Sequence, residues 1–551
     1  MTAVPRVRGN DYRTLTPPEP GTWTPSLKVS VIVPAYGAQD KLDLVLAGLA
    51  RQSYPAELTE VIVVDNGSSP PLRLPALAPP GARLLVCDDA GRASARNAGL
   101  AAATGDVIHW LDSDVVPTPG AVEAHMRWHH LAPYLVVTGY MRFTEADLPT
   151  PGQVAAGDLE ALFEPAEPHG WIVALVDRTD GLTDNPKRPF SLHVGGATSV
   201  NARLAAAAGP MDDGLILGQD TEMGYRLAQA GAVFVPEPLA RAYHLGLTMR
   251  MRDKAPIDRV SHAFVADRIP AYRWLRAHPA RQWKVPYAEA IVETGRGTSY
   301  EDARATVDAL LAGTVPDVSV TLVGPWDDLE REPRAPLKAH DLDLMLIEGH
   351  YAHEGRVRLA RSPVPEPAVP YVLRTPVGWV PGEDTLARLL ELAEEGQGLV
   401  SVLLEESAAG IVAARLERTA AFARAAIVAR PGEDLDDVVD EVFGVRWVEG
   451  ESYGFVPAAD APRVPGRRGA YRARTEAEAE AVRLAAEVER MRAQVARWRE
   501  EAGRWRRTTV ELRREVGTLR RQLAAASRVQ RSLRTVLGTS IKRALRKNLP
   551  D

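Results

Sequence analysis

The stretch Val107-Ile-His-Trp-Leu-Asp-Ser-Asp114 decides the fold. Val107 to Leu111 reads as a short buried strand, and the chain leaves it through Asp112, Ser113 and Asp114. In open α/β sheets ligands bind at the carboxyl ends of the strands, so two carboxylates at such an end stand where a ligand is expected. The upstream sequence supplies the neighbouring strands. Ser30-Val-Ile-Val33 is a buried strand stopping at Pro34, and helical spacing follows from Lys41 to Arg51 through Leu42, Val45, Leu46 and Leu49. Val61-Ile-Val-Val64 is a second strand, closed by the turn Asp65-Asn-Gly-Ser68, and Leu84 to Cys87 is a third. Arg92 to Ala103 reads as a helix ended by Thr104-Gly105. This alternation predicts an α/β fold with a largely parallel sheet over residues 29–247.

At 551 residues the chain is too long for one core, so two or three domains are expected. A loose N-terminal arm (1–27) precedes the first domain (28–250), and a helical connector (251–317) follows it. A second, smaller α/β domain (318–460) is drawn from Val318 to Val323, Leu342 to Ile347, Tyr371 to Arg374, a helix from Thr385 to Glu395, and a strand from Leu399 to Leu404. A Pro-, Gly- and Arg-rich linker (461–473) leads to a different kind of segment. From Leu484 to Leu523, apolar residues recur at alternating spacings of four and three, which predicts a coiled coil over 474–526 and self-association through it. Trp498 and Trp505 in that seam leave the number of strands open, and the competing reading is a single solvated helix. The tail, 527–551, carries Arg528, Arg531, Arg534, Lys542, Arg543, Arg546 and Lys547 without an acid, beside an apolar face that includes Leu533, Leu537 and Ile541. It fits either peripheral contact with an anionic membrane surface or a frayed continuation of the coil.

Bulk composition narrows the functional classes. A content of 45% hydrophobic and 25% charged residues with net charge -6 is that of an ordinary globular protein and does not suggest a nucleic-acid partner. Cys87 alone excludes an intramolecular disulfide framework and a multi-cysteine zinc site, and it suits a reducing compartment. The N-terminus is polar and proline-rich, and no apolar run approaches the roughly 20 residues that span a bilayer, so a cytoplasmic protein is expected, with the tail at the inner membrane face. Abundant Ala and Arg with scarce Lys point to a GC-rich bacterial source.

A pair of strand-end carboxylates suits Mg²⁺ or Mn²⁺, which take oxygen ligands and leave room for water and phosphate. Asp220, in Gly218-Gln-Asp-Thr-Glu222 at the start of a helix, is a candidate general base, with a plain helix cap as the alternative. His125 and His129, four apart on a helix, lack an evident third ligand and read as a solvent-facing pair.

Six segments then occur in a telling order: Val31-Ile-Val-Pro-Ala-Tyr36, Val63-Val-Asp-Asn-Gly-Ser68, Gly91-Arg-Ala-Ser-Ala-Arg-Asn-Ala-Gly99, Asp112-Ser-Asp114, Gly195-Gly-Ala197, and Gly218-Gln-Asp-Thr-Glu-Met-Gly-Tyr-Arg-Leu227. Together they resemble the family 2 glycosyltransferases over residues 29–247. The resemblance implies a GT-A (nucleotide-diphospho-sugar transferase), Rossmann-like domain that inverts the sugar's configuration during transfer from a nucleotide-sugar donor to a hydroxyl acceptor. A glycan or lipid-linked acceptor, in cell-surface polysaccharide or glycolipid synthesis, fits that class. Carried over by position, Pro34, Ala35 and Tyr36 line the nucleotide, Asp65 bonds its base or ribose, and Arg92 and Asn97 sit near base and pyrophosphate. Asp114 reaches the metal, while Asp112 and Ser113 lie toward ribose or donor sugar, and Asp220 is the base. Gln219 replaces the family's usual Glu beside the sugars, and His244 falls where some relatives add a metal or phosphate contact, a structural histidine being the alternative. Thr375-Pro-Val-Gly-Trp-Val-Pro381 echoes Asp112-Ser-Asp-Val-Val-Pro117, with Thr375 and Val377 in place of the carboxylates, so the second domain is read as a degenerate GT-A-like copy. The alternative function is a catalytically inactive GT-like scaffold that assembles partners through its coil.

Overall fold

The computed structural model describes residues 4–184, 187–276, 278, 281–408, 410–461 and 467–546. The chain forms two compact units, Met1–Arg463 and Val464–Asp551.

In the first unit, β1 (Val29–Ala35), β2 (Thr59–Asp65), β3 (Ala82–Val86) and β4 (Val107–Leu111) lie side by side as β3-β2-β1-β4, all parallel. Every residue of β1, β2 and β4 is buried, as strands covered on both faces require. β1 does not stop at Pro34. It runs on to Ala35 beside β2, while its ladder with β4 ends at Ile32, so the N–H that proline lacks is not missed on that side. The crossovers are α1 (Gln39–Leu49) and α2 (Arg92–Ala102). At Gly99, α2 comes so close to β1 that a Cβ would sit 2.4 Å from Ile32 Cγ2.

Past β4 the sheet continues with strands of mixed direction. β5 (Val115–Pro117) and α3 (Ala121–His129) lead into β6 (Leu135–Thr144). Next come α4 (Pro151–Ala156), α5 (Leu159–Phe163), β7 (Ala166–Pro168) and α6 (Gly170–Arg178). β8 (Ala197–Asn201), α7 (Ala202–Ala208), α8 (Gln219–Gln229) and β9 (Val233–Leu245) complete the order β3-β2-β1-β4-β8-β6-β9-β5, with β7 on β6.

The segment expected as a helical connector begins so, with α9 (Met249–Arg252) and α10 (Lys254–Arg268), but then contributes β10 (Ala288–Glu293) and α11 (Tyr300–Ala312) to the second sheet. That sheet adds β11 (Val318–Val323), β12 (Val357–Ala360) and β13 (Tyr371–Arg374). Leu342 to Ile347, read as a strand, lies instead in a helix, α12 (Leu342–Tyr351). Then come β14 (Trp379–Val380), α13 (Thr385–Glu394), β15 (Leu399–Ser407), β16 (Gly410–Arg418), α14 (Thr419–Val428), α15 (Leu435–Val442), β17 (Val445–Glu449) and β18 (Val456–Pro457).

The order β12-β11-β10-β13-β16-β15-β17 repeats β3-β2-β1-β4-β8-β6-β9 strand for strand. Each ladder also keeps its direction: parallel from β12 to β13, antiparallel at β13/β16 and β16/β15, parallel at β15/β17. The small β14/β18 ladder matches β5/β9, both antiparallel. One crossover differs: α2 lies between β3 and β4, whereas α12 lies between β11 and β12.

The two sheets share a core. Trp128, Tyr134, Val137 and Val235 from the first cluster with Leu399, Ala421, Ala425 and Val439 from the second. Arg424, fully buried, donates to the carbonyls of Gly231, Ala232, Val7 and Gly9. The N-terminal arm, expected to be loose, is pinned at the same place. Val7 is buried, Asn10 bonds Leu182 and both backbone groups of Phe234, and Arg6 pairs with Glu433 and Glu441.

The second unit is one helix, α16 (Arg467–Arg546), continuous through the ranges expected as the end of the linker, the coil and the start of the tail. Linker residues 462–466 and tail residues 547–551, Lys547 among them, lie outside the described residues. Among the described residues no helix is long and apolar enough to cross a membrane.

Candidate functional site

Because β4 is parallel to β1 and β2, their carboxyl ends share one edge of the sheet, and the Asp-Ser-Asp segment opens there. The organising residue is Arg96, on α2. Its side chain is fully buried, and its guanidinium bridges two carboxylates, Nη2 donating to Asp112 Oδ1 at 2.7 Å and Nη1 to Asp220 Oδ1. Sequence reasoning named Arg92 and Asn97 from the same stretch and passed over Arg96. The signal for it was the Gly195-Gly196 pair. A Cβ at Gly195 would lie 2.1 Å from Arg96 Nη2, and one at Gly196 would lie 3.1 Å from Asp112 Oδ2, so the glycines make the space in which the ion pair sits. Burial opposes ionisation of Asp112, but the charges of Arg96, Arg92 and His244 outweigh it and hold its carboxyl below the usual range. Asp220 stands at the second position of α8, and its carbonyl accepts from Nδ1 of the buried His193 at 2.8 Å.

Asp114 points to a second group of residues. Val115 on β5 faces His244 on β9, and this register brings His244 Nε2 to 3.6 Å from Asp114 Oδ1. His244 Nδ1 lies 2.7 Å from the carbonyl of Gly246 and must donate to it, so a neutral His244 keeps its lone pair on Nε2, the atom that faces Asp114. Lys41, read from sequence only as part of a helix, places Nζ 3.9 Å from Asp114 Oδ2 while donating to the Leu245 carbonyl at 2.5 Å. Burial, reinforced by the charge of Asp112, pushes the Asp114 carboxyl up despite His244 and Lys41. A carboxylate oxygen and an imidazole lone pair at this separation fit a divalent cation, Mg²⁺ or Mn²⁺. Among the described residues no three His, Cys, Asp or Glu side chains are placed to hold a metal, so such an ion would complete its shell with oxygens from a ligand.

The remaining candidates divide. Tyr36 stands 74% exposed at the end of β1, free to stack on a planar ligand, whereas Pro34 and Ala35 are buried in the strand. Arg92 is exposed at the first turn of α2, and Ser113 is half-buried between the two aspartates. Asp65 is only 3% exposed. Its oxygens accept from the backbone of Ser68 and Leu72, both at 2.9 Å, and these bonds lower its pKa against the effect of burial. It therefore ties down its own loop and makes no described contact with the other acids. Asn97 exchanges two 2.9 Å hydrogen bonds with the backbone of Met211, which fix its amide on the loop before α8. Gln219 likewise donates to the carbonyls of Leu215 and Ile216, holding the loop before α8. His125 and His129 are not a solvent-facing pair. Both are buried, both bond Ser199 Oγ, and His109 packs on His125 with ring centroids 4.4 Å apart.

Comparison with known proteins finds a family match over part of the first sheet. Residues 30–183 match the family described as glycosyl transferase family 2. An uncharacterized glycosyltransferase of Bacillus subtilis is 28% identical over 38% of this chain and 62% of its own. A pre-mycofactocin glycosyltransferase of Mycobacterium tuberculosis is 28% identical over 42% of this chain and 45% of its own. The match thus spans roughly half to three-fifths of these relatives' lengths. Among solved structures, a mannosyltransferase of Pyrobaculum calidifontis in complex with GDP-Man and Mn²⁺ aligns at 18% identity over 46% of this chain and 68% of that one. Its TM-score of 0.32 is too low to carry donor or metal across.

Proposed function

This chain carries a family 2 glycosyltransferase domain, and from that premise we propose that it is an inverting enzyme moving a sugar from a nucleotide-diphosphate-sugar to a hydroxyl acceptor. The observation that carries the reading is the Asp112-Arg96-Asp220 bridge, which ties a strand-end carboxylate on the donor side to a helix-start carboxylate suited to act as base. In a single displacement the acceptor oxygen attacks the anomeric carbon on the face opposite the departing diphosphate, and Asp220 takes the acceptor's proton as the new bond forms. Arg96 orients both acids, and Gly195 and Gly196 keep the room it needs. Tyr36 stacks on the nucleotide base, Asp65 holds the loop beside it, and Arg92 attracts the diphosphate. Asp114 and His244 would hold Mg²⁺ or Mn²⁺, which supplies positive charge to stabilise the departing diphosphate.

The acceptor is a glycan or lipid-linked hydroxyl of cell-surface polysaccharide or glycolipid synthesis, and the basic end of α16 keeps the enzyme at the inner face of the membrane. The second sheet, with Thr375 and Val377 after β13, serves acceptor binding or assembly rather than catalysis. α16 brings copies of the chain together.

The test is a thermal-shift screen of nucleotide sugars with and without Mn²⁺, followed by donor hydrolysis. A true donor raises Tm by mass action, and the metal-dependent part of that shift disappears in Asp114→Ala. Equal release of nucleoside diphosphate by wild type and Asp114→Ala would leave the inactive scaffold as the better reading.

A further inference from the structure

The apolar stripe of α16 has no cover within its own unit: Leu484, Met491, Val495, Trp498, Trp505 and Leu519 are all between 40% and 66% exposed. The spacing of the stripe assigns heptad positions. Val488, Val495, Thr509 and Val516 fall at a with Ala502 and Leu523, and Leu484, Leu512 and Leu519 fall at d with Met491, Trp498 and Trp505, so four of six a positions are β-branched and half of the d positions are Leu. β-branched a residues with Leu at d favour two strands.

The flanking positions carry more information. Position e is Arg492, Arg499, Arg506, Arg513 and Arg520 in five successive heptads, whereas position g carries Glu487, Glu501 and Glu515 with the neutral Gln494 and Thr508 between them. One edge of the stripe is thus purely cationic, and the other is acidic or neutral. Among the described residues, only Arg492 of these charges has an ion-pair partner within the chain, Glu489 at 2.7 Å.

Two such helices meet in opposite ways in the two possible orientations. When they run parallel and in register, each g residue faces the e residue of the next heptad on its partner, giving Glu487 to Arg492, Glu501 to Arg506 and Glu515 to Arg520 on both flanks, with no like charges opposed. When they run antiparallel, e faces e and g faces g, so arginines oppose arginines along one flank and glutamates oppose glutamates along the other. We infer that α16 pairs with α16 of a second copy as a parallel, in-register, two-stranded coiled coil. This rests on the association proposed above and adds its orientation, register and strand number. Both basic segments beyond residue 527 then leave the coil at the same end.

The experiment uses the full chain. Wild type, whose sole cysteine Cys87 is buried, serves as the uncross-linked control and is weighed by sedimentation equilibrium. Val488→Cys and Leu519→Cys, an a and a d position that face each other when the stripe pairs antiparallel, are oxidised separately and mixed. The expected result is a dimer mass and a disulfide-linked dimer from each variant alone, since in a parallel, in-register pair every core position meets its own copy. Arg506→Glu, which sets Glu against Glu501, weakens dimerisation by roughly tenfold, and the double variant Glu501→Arg/Arg506→Glu restores it. Cross-linking only in the mixture would overturn the orientation and leave association standing. A trimer or larger species would overturn the strand number, and a monomer at tens of micromolar would remove association itself. None of these readouts involves donor turnover, so they fail independently of the catalytic assignment.

Discussion

Arg96 shows how one side chain can set the geometry of a site. Its planar fork meets two carboxylates at once, which the single point charge of lysine cannot do. Arg96→Lys is therefore expected to lower kcat by about a hundredfold with little change in thermal midpoint, measured as single-turnover transfer beside a melting curve. Asp220→Asn keeps the shape but not the proton acceptor, and a loss of 10²–10⁴ in kcat with an unchanged donor KM is expected. Gly195→Ala pushes a methyl into the guanidinium, so both activity and Tm should fall; wild-type activity in that variant would mean that Arg96 can move freely. The places of Asp112, Asp114, Asp220 and His244 can be read from the sequence because strand ends and a helix start fix where they stand. The partners of Arg96, Asn97 and Gln219 cannot, because neighbouring residues on a helix point in different directions and only tertiary contacts decide what each one meets. Met211 claims Asn97, and Leu215 and Ile216 claim Gln219.

At the scale of elements, α3 is the instructive case. Its His125 and His129 read as a solvent-facing pair, yet all nine of its residues are buried, because packing from outside the first sheet covers the side that would have faced water. These two histidines, and His109 of β4 packed on His125, are consequently neutral. Burial lowers the pKa of His109 to about 4 and that of His129 to about 3, and pushes His125 well down as well. Their folded pKa values lie below the unfolded value near 6.5, so the unfolded chain binds protons first. Stability is therefore complete above about pH 6.5 and is lost as pH falls toward 4. His109 alone should contribute about 3 kcal/mol of that loss by pH 4. Urea midpoints measured from pH 7.5 to 4 should fall accordingly, and His109→Leu should flatten the slope without weakening the protein at neutral pH, since neither ring nitrogen of His109 has a partner. The strands β1, β2 and β4 were readable from continuous apolar runs. The apolar run from Leu342 to Ile347 was too short to separate helix from strand, and β6 and β9 were hidden by Gly139, Pro236 and Pro238, which punctuate them.

For the whole molecule, the resemblance between Thr375–Pro381 and the Asp-Ser-Asp segment was the only hint that the second sheet repeats the first in strand order and direction. What no local pattern could show is that the two sheets share one core, locked by Arg424. Replacing Arg424 with Met leaves four carbonyls, three of them in buried bonds, without their donor, at a cost of about 3 kcal/mol or more, and calorimetry should record one transition for both sheets, shifted downward. Two separate transitions would show that the sheets fold independently.

The shared core also sets where each half of the first unit can vary. Around the first sheet, substitutions are least tolerated at the cleft, where Arg96, Asp112 and Asp220 interlock. In the second sheet, Thr375 and Val377 stand where the first has its carboxylates, while Ala421, Ala425 and Val439 at its back support the other half. A saturation library scored for activity would therefore trace opposite maps on two scaffolds of the same design, one sensitive at its mouth and the other at its spine. Cutting out residues 28–250 as a minimal enzyme would strip the support away and leave Tyr134, Val137 and Val235 facing water.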